Sequence, residues 1–262
     1  MNNNPIGIFD SGIGGLSILK EIKNLLPQEN LLYIADSKNC PYGGKNPEEV
    51  YTLAQRQISY LVEHNVKLIV VACNTVTVSC IDKLRSDFPS VPIIGIVPVV
   101  KKASEISKLK RIGILSTSTT SKSEYQADLI SKYASDCEVV SVGTDELVPS
   151  IENGTTNSLD FVEILKKVLK PFKDTQIDAL ALGCSHFPLV KDKIRAIIGS
   201  DVYILDSGGA VARQVKRVLE KENILSTVLT PEYTYVTTGD SDSFKMLVEQ
   251  ITGIENATIR SI

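Results

Sequence analysis

Apolar runs too continuous to have a wet face recur along this chain, and each is followed by a stretch of helical periodicity. PIGIFD (5–10), NLLYIAD (30–36), VKLIVVAC (66–73) and VPIIGIVP (91–98) are the first four such runs. Between them lie LSILKEIKNLL (16–26), PEEVYTLAQRQISYLVEHN (47–65) and NTVTVSCIDKLRSDF (74–88), which read as helices. Pro47, with Glu48 and Glu49 behind it, marks a helix start. Strands without polar alternation need cover on both faces, so this order predicts a parallel sheet flanked by helices. Ligands of such sheets gather beyond the carboxyl ends of the strands. Asp10-Ser11 and Cys73-Asn74-Thr75 stand at two of those ends.

The pattern then repeats. RIGILSTSTTSKSEYQADLI (111–130) is again strand, small polar turn and helix; CEVVSVG (137–143) is a strand and LDFVEILKKVLKPF (159–172) a helix. IDALALGC (177–184) is a strand with Ser185 and His186 next, PLVKDKIRAII (188–198) a helix and DVYILDS (201–207) a strand. The two cysteines at strand ends, Cys73 and Cys184, are 111 residues apart, and GIFD and GILS are 106 apart. The fold class is therefore α/β, with two pseudo-symmetric domains built on largely parallel sheets. The remaining tail carries a helix (208–225), a strand (232–239) and a helix (242–253), too little for a third unit, and is expected to pack back on one of the two.

Composition excludes several classes of function. The chain has 262 residues, 43% hydrophobic and 23% charged, enough for a core that needs no disulfide staples. Lys+Arg total 28 against 31 Asp+Glu, and the basic residues are scattered, so no nucleic-acid partner is expected. The longest apolar runs fall short of the ~18–20 residues of a bilayer span, and MNNNPIGIFD lacks a signal-peptide pattern. A cytoplasmic protein without a membrane partner is expected. The five cysteines are an odd number with no C-x-x-C pair, and there are two histidines, so free thiols are expected and metal is set aside.

A cofactor site is set aside as well. GIGGLS has Ser17 where a dinucleotide loop needs its third glycine, and Asp10 would face the pyrophosphate, although Asp36 stands where a ribose-binding acid would. GGK (43–45) is not a phosphate loop, with Asn39 and Asn46 at the positions that would need Gly and Ser or Thr. Cys73 and Cys184 are the sharper feature: equivalent positions in a duplicated chain, each followed by amide, hydroxyl or imidazole groups. Both are expected at the start of a helix, where free N–H groups favour a thiolate. Cys80, within a helix, reads as core. A hydrolase needs one thiol, and a disulfide is out of place in the cytosol. Two thiols facing one carbon from opposite sides suit proton removal on one face and delivery on the other, which is racemisation or epimerisation without a cofactor. Asp10 and Glu152 or His186 are candidates to set the protonation of each thiol.

GIFDSGIGGLS (7–17), YIADSKNCPYGGK (33–45), VVACNT (70–75), LVPSIENG (147–154), ALGCSHFPLV (181–190) and ILDSG (204–208), in this order, resemble the bacterial glutamate racemases of the aspartate/glutamate racemase superfamily over essentially the whole chain. The resemblance implies two α/β domains, 1–97 with 208–262 and 98–207, with the active site in the cleft between them. It implies that Cys73 is the base toward D-glutamate and Cys184 the base toward L-glutamate, with Asp10 supporting the first thiol, His186 the second, and Glu152 a further acid. Asp10, Ser11, Tyr42, Gly43, Asn74, Thr75, Ser185 and His186 would contact substrate, and no metal or cofactor would be needed. The product would be D-glutamate for peptidoglycan, and a homodimer is expected. The chain departs from the family at Ser185, where Thr is usual, at Val97, where Glu commonly precedes the proline, and at Thr144-Asp145-Glu146, where Cys-Pro is usual. An aspartate or hydantoin racemase, or an amino-acid-binding protein without activity, shares much of this pattern and stays open.

Overall fold

The computed structural model describes residues 1–254 and 257–262. The first half runs β1 (Ile6–Asp10), α1 (Leu16–Leu25), β2 (Leu31–Ala35), α2 (Pro47–Glu63), β3 (Leu68–Val71), α3 (Asn74–Asp87), β4 (Ile93–Gly95) and α4 (Val100–Ile106). It continues through β5 (Arg111–Ser116), α5 (Ser118–Ser121), α6 (Glu124–Tyr133), β6 (Glu138–Gly143), α7 (Val148–Glu152), α8 (Leu159–Asp174), β7 (Ala179–Gly183), α9 (Lys191–Ile198) and β8 (Tyr203–Leu205). The tail forms α10 (Gly208–Lys221), β9 (Tyr233–Thr237), α11 (Ser241–Thr252) and β10 (Thr258–Ser261).

The strands form two all-parallel sheets, ordered β10-β9-β2-β1-β3-β4 and β6-β5-β7-β8. The central order 2-1-3-4 of the first sheet is repeated as 6-5-7-8 in the second, the structural form of the duplication. In each sheet the chain leaves the first strand toward one side and returns to the other, so a crevice opens between β1 and β3 and again between β5 and β7. Asp10 and Cys73 follow β1 and β3 at the first crevice; Ser116 and Cys184 stand at the second. β1, β2, β3 and β7 are buried along their whole length, as strands covered on both faces must be. Each fully buried Ile or Leu contributes about 1.5–3 kcal/mol, against ~0–1 for an exposed ion pair, so these strands rather than the surface charges hold the sheets.

The tail returns to the first sheet: β9 pairs with β2, and α10 packs on α1. Sequence periodicity left residues beyond 253 without an element, whereas Thr258–Ser261 adds an edge strand beside β9. The expected helix 188–198 is split. Phe187–Val190 is a single 3₁₀ turn and α9 begins only at Lys191, because Val190 leaves helical geometry at φ −117°, ψ 19°. Cys184 therefore does not stand at a helix start, while Cys73 is the N-cap residue of α3. Cys80 is buried, at a break in the α3 helical geometry. Among the described residues no helix is long and apolar enough to cross a membrane.

Candidate active site

The Cys73 side is built by the turn after β1 and the start of α3. The Cys73 thiol lies 3.6 Å from the Ser11 hydroxyl, and its carbonyl accepts from Thr77 Oγ1 at 3.1 Å, which ties the cap to the helix. Asp10 is fully buried; its Oδ2 accepts the Gly15 N–H at 2.7 Å, and the Ser185 hydroxyl donates to its two oxygens at 3.2 and 3.3 Å. Burial raises its carboxyl to about 6, with His186 and the Gly15 N–H pulling it down and Glu152 pushing it up. Burial and then the Asp10 charge push the Cys73 thiol up to about 12, against the downward pull of the Ser11 hydroxyl. In the ligand-free protein Cys73 is a thiol at neutral pH, so the helix start does not ionise it by itself.

The Cys184 side comes from the turn after β7. His186 Nδ1 stands 3.8 Å from Cys184 Sγ, a partner that can hold or return its proton, and Nε2 is hydrogen-bonded to Glu152 at the end of α7. Burial works against an imidazolium here, but the hydrogen bonds to its neighbours, Cys184 and Glu152 among them, outweigh it and hold the imidazole well above its ordinary range. Glu152 Oε1 also accepts the Ile13 N–H at 2.7 Å. The glycine-rich turn after β1 thus serves close packing rather than a phosphate. A Cβ at Gly12 would stand 2.0 Å from Glu152 Oε1, and one at Gly14 would stand 2.6 Å from both His186 Nδ1 and Ser185 Oγ.

The two sides meet in one narrow cavity, lined by Ser11, Tyr42, Gly43, Cys73, Asn74, Thr75, Cys184, Ser185 and His186. Cys73 and Cys184 are 4% and 5% exposed, so both thiols are largely withdrawn from bulk water. The sheets are latched across the cavity by hydroxyls and backbone: Thr75 Oγ1 lies 3.0 Å from Thr117 Oγ1, and the Gly43 carbonyl accepts the Thr119 N–H at 3.2 Å and the Thr119 hydroxyl. Tyr42 lines the cavity, but its hydroxyl is already engaged, donating to Asp36 Oδ2 at 2.6 Å. Asp36 also accepts from Asn39 and, at 2.7 Å, from Thr238, so it anchors the 37–43 loop to the tail. Asp10 and Glu152 support the lining from behind.

Thr117, Pro41 and Val148 also line the cavity and were not among the sequence candidates. The signal for Thr117 was present: it lies 106 residues after Ser11, the offset that relates GIFD to GILS. Each copy therefore sends one hydroxyl from the turn after its first strand into the cavity.

Comparison with known proteins follows the same lines. A family model described as Asp/Glu/Hydantoin racemase matches residues 6–215. A glutamate racemase of Roseiflexus sp. (strain RS-1) is 38% identical over 249 residues, which is 94% of this chain and 92% of that protein. The crystal structure of glutamate racemase isoform RacE1 from Bacillus anthracis superposes with a TM-score of 0.91 at 30% identity, covering 100% of this chain and 98% of the other. A glutamate racemase of Francisella tularensis, solved in complex with D-glutamate, superposes at 0.86 with 30% identity, again over 100% and 98%.

Proposed function

The chain belongs to the Asp/Glu/hydantoin racemase family, and from that premise we propose that it interconverts L- and D-glutamate without a cofactor, using Cys73 and Cys184 as a two-base pair. The observation that carries this reading is the pair of buried thiols, one from each half of a duplicated fold, on the wall of one cavity. Glutamate is the substrate because relatives matched over nearly their full length carry that activity in their names and one neighbouring structure holds D-glutamate. The cleft lies between residues 1–97 with 208–262 and residues 98–207, treated as two domains that part to admit substrate.

The proton path follows from the residues. Backbone N–H groups at the start of α3, with the hydroxyls of Ser11, Thr75, Thr117 and Ser185, suit two carboxylates. With L-glutamate, the Cys184 thiolate takes the α-proton and the Cys73 thiol delivers its own to the opposite face; the reverse reaction exchanges the roles. One proton leaves and one arrives, so no oxidant or co-reactant is required. His186, backed by Glu152, holds or returns the Cys184 proton. Asp10 keeps Cys73 protonated until the substrate ammonium enters and offsets its charge. The site supplies D-glutamate, in keeping with a cytoplasmic role in peptidoglycan synthesis, and the enzyme is a homodimer in this reading.

The test is solvent deuterium exchange with optical readout, run on L-glutamate, D-glutamate and L-aspartate in parallel. Inversion with deuterium at Cα for both glutamate enantiomers, and little for aspartate, is the expected result. Exchange of aspartate alone would transfer the assignment to an aspartate racemase, and no exchange by the folded, reduced protein would leave a binding protein.

Gly12→Ala checks the role of Glu152. The new methyl displaces a flexible carboxylate rather than backbone, so the fold survives at a cost of ~1–3 kcal/mol, while His186 loses its partner. Turnover is expected to fall roughly 10–100-fold, the usual effect of losing a group that orients a reactive one. Steady-state rates beside a thermal melt decide it: unchanged turnover would remove Glu152 from the proton path.

A further inference from the structure

Cys40, Glu152 and His186 come from three separate segments, and the fold brings one ligand-type atom of each to within 4.8 Å of the others. Sequence spacing hides this group, since none of the three lies within a metal-binding motif. The set is chemically mixed: one thiol, one carboxylate, one imidazole. That mixture matches Zn²⁺ and its borderline-soft relatives, and does not suit Mg²⁺ or Ca²⁺, which take oxygen ligands. Tetrahedral Zn²⁺, with bonds of ~2.0–2.3 Å, holds its ligands roughly 3.3–3.8 Å apart. Ligand atoms within 4.8 Å of one another need to shift by about an ångström to reach that spacing.

Access is the second observation. Cys40 and Glu152 line a cavity of about 320 Å³, open to solvent, between the 37–41 loop, α7 and the start of α11. His186 lines the substrate cavity on its other side. The imidazole and Glu152 thus form a partition between the two spaces. An ion entering from the solvent side reaches the cluster without passing through the substrate cavity, and the open cavity leaves room for water as its fourth ligand.

We propose that Cys40, Glu152 and His186 form an inhibitory site for a thiophilic divalent cation of the Zn²⁺ class, loaded from the solvent-open cavity behind the active site. Bound metal takes the lone pair of His186 and the carboxylate of Glu152, so the imidazole can no longer hold or return the Cys184 proton. The Cys40 thiol proton and the His186 imidazolium proton that blocks the ligating nitrogen both leave to solvent as the metal bonds form, and no redox change occurs. The binding step stands apart from the proposed activity; the inhibition rests on it.

The experiment uses the full chain, freed of metal with a chelator and kept reduced, titrated with Co²⁺ and Zn²⁺ and with Mg²⁺ as control. Binding is read from thiolate-to-Co²⁺ charge-transfer absorption and its displacement by Zn²⁺, and inhibition from glutamate racemisation in the same samples. One equivalent of Co²⁺ is expected to give a thiolate-ligated tetrahedral spectrum, and Zn²⁺ to suppress turnover while Mg²⁺ does neither. Cys40→Ala, with Cys40→Ser as a second variant checked for folding, is expected to lose the charge-transfer band, weaken Zn²⁺ binding at least ~100-fold and keep metal-free turnover. A band that persists in both variants would place the metal on Cys73 and Cys184 and overturn the proposal, as would the absence of stoichiometric binding by the unaltered protein. If the band behaves as expected but no glutamate turnover exists at all, the site stands and the racemase reading falls.

Discussion

Replacing Cys73 with Ala is expected to abolish racemisation while leaving hydrogen exchange at Cα of L-glutamate, and replacing Cys184 with Ala is expected to do the reverse for D-glutamate. The two thiols line one cavity, one from each half of the duplicated fold, and neither has a neighbour that duplicates it. Ser11 lies beside Cys73 and His186 beside Cys184, but a hydroxyl is too weak a base and the imidazole is already committed to Glu152. With one thiol gone, the survivor can remove a proton only from its own face and must return one there, so deuterium enters without inversion. General acid–base groups supply typically 10²–10⁴-fold, and loss of inversion by at least about that factor is expected. Optical rotation and mass spectrometry on the same samples separate inversion from exchange. Full racemisation by either single variant, or exchange of the same enantiomer by both, would end the two-base assignment. Folding is not in question, since each change trims one small side chain from a cavity wall.

The pattern of burial is what made so much of this site readable in advance. Strands covered on both faces leave continuous apolar runs, and their carboxyl ends are the places where polar residues interrupt them, so Cys73 and Cys184 stand out in the sequence. The 106-residue offset carries the same information for Ser11 and Thr117, though only the fold shows both hydroxyls entering one cavity. Other features had no local signal. Ser17 already rules the glycine turn out as a dinucleotide loop, but only the structure shows what its glycines serve, setting Glu152 against Gly12, and His186 and Ser185 against Gly14. Asp36 has the position of a ribose-binding acid, yet its oxygens are occupied by Tyr42, Asn39 and Thr238. The edge strand Thr258–Ser261 is partly exposed, so it lacks the apolar run that betrays the central strands. The break at Val190 has no such mark, because the apolar spacing of 188–198 continues through it.

Lys67→Met is expected to be the most destabilising single change away from the cleft. The Lys67 and Glu29 side chains are 1% and 2% exposed and 2.6 Å apart. Lys67 Nζ also donates to the carbonyls of Asn2 at 2.6 Å and Ile224 at 2.8 Å, and Glu29 Oε1 accepts the Ser226 N–H at 2.8 Å. Four segments converge on this pair: the N-terminus, the entry to β2, the entry to β3 and the link from α10 to β9. Removing the cation leaves a buried carboxylate whose charge is met by the Ser226 N–H alone and takes a donor from two half-buried carbonyls, a loss of about 3–5 kcal/mol. For a chain of this size, each kcal/mol moves the midpoint by roughly 2–4 °C, so the transition of the six-stranded sheet should fall by about 10 °C or more. The partner variant separates charge from packing. Glu29→Gln added to Lys67→Met removes the stranded charge, so the double variant is expected to be more stable than Lys67→Met alone, a sign that only a coupled pair gives. Urea unfolding of the two single variants and the double variant decides it, and a Lys67→Met loss below about 1 kcal/mol would show that the pair is solvated in the native state. The consequence reaches the site through the chain: β9 carries Thr237, the residue before Thr238, whose hydroxyl holds Asp36 and thereby Tyr42. Loosening the link before β9 therefore loosens one wall of the substrate cavity, and turnover is expected to fall at temperatures below the melting transition itself.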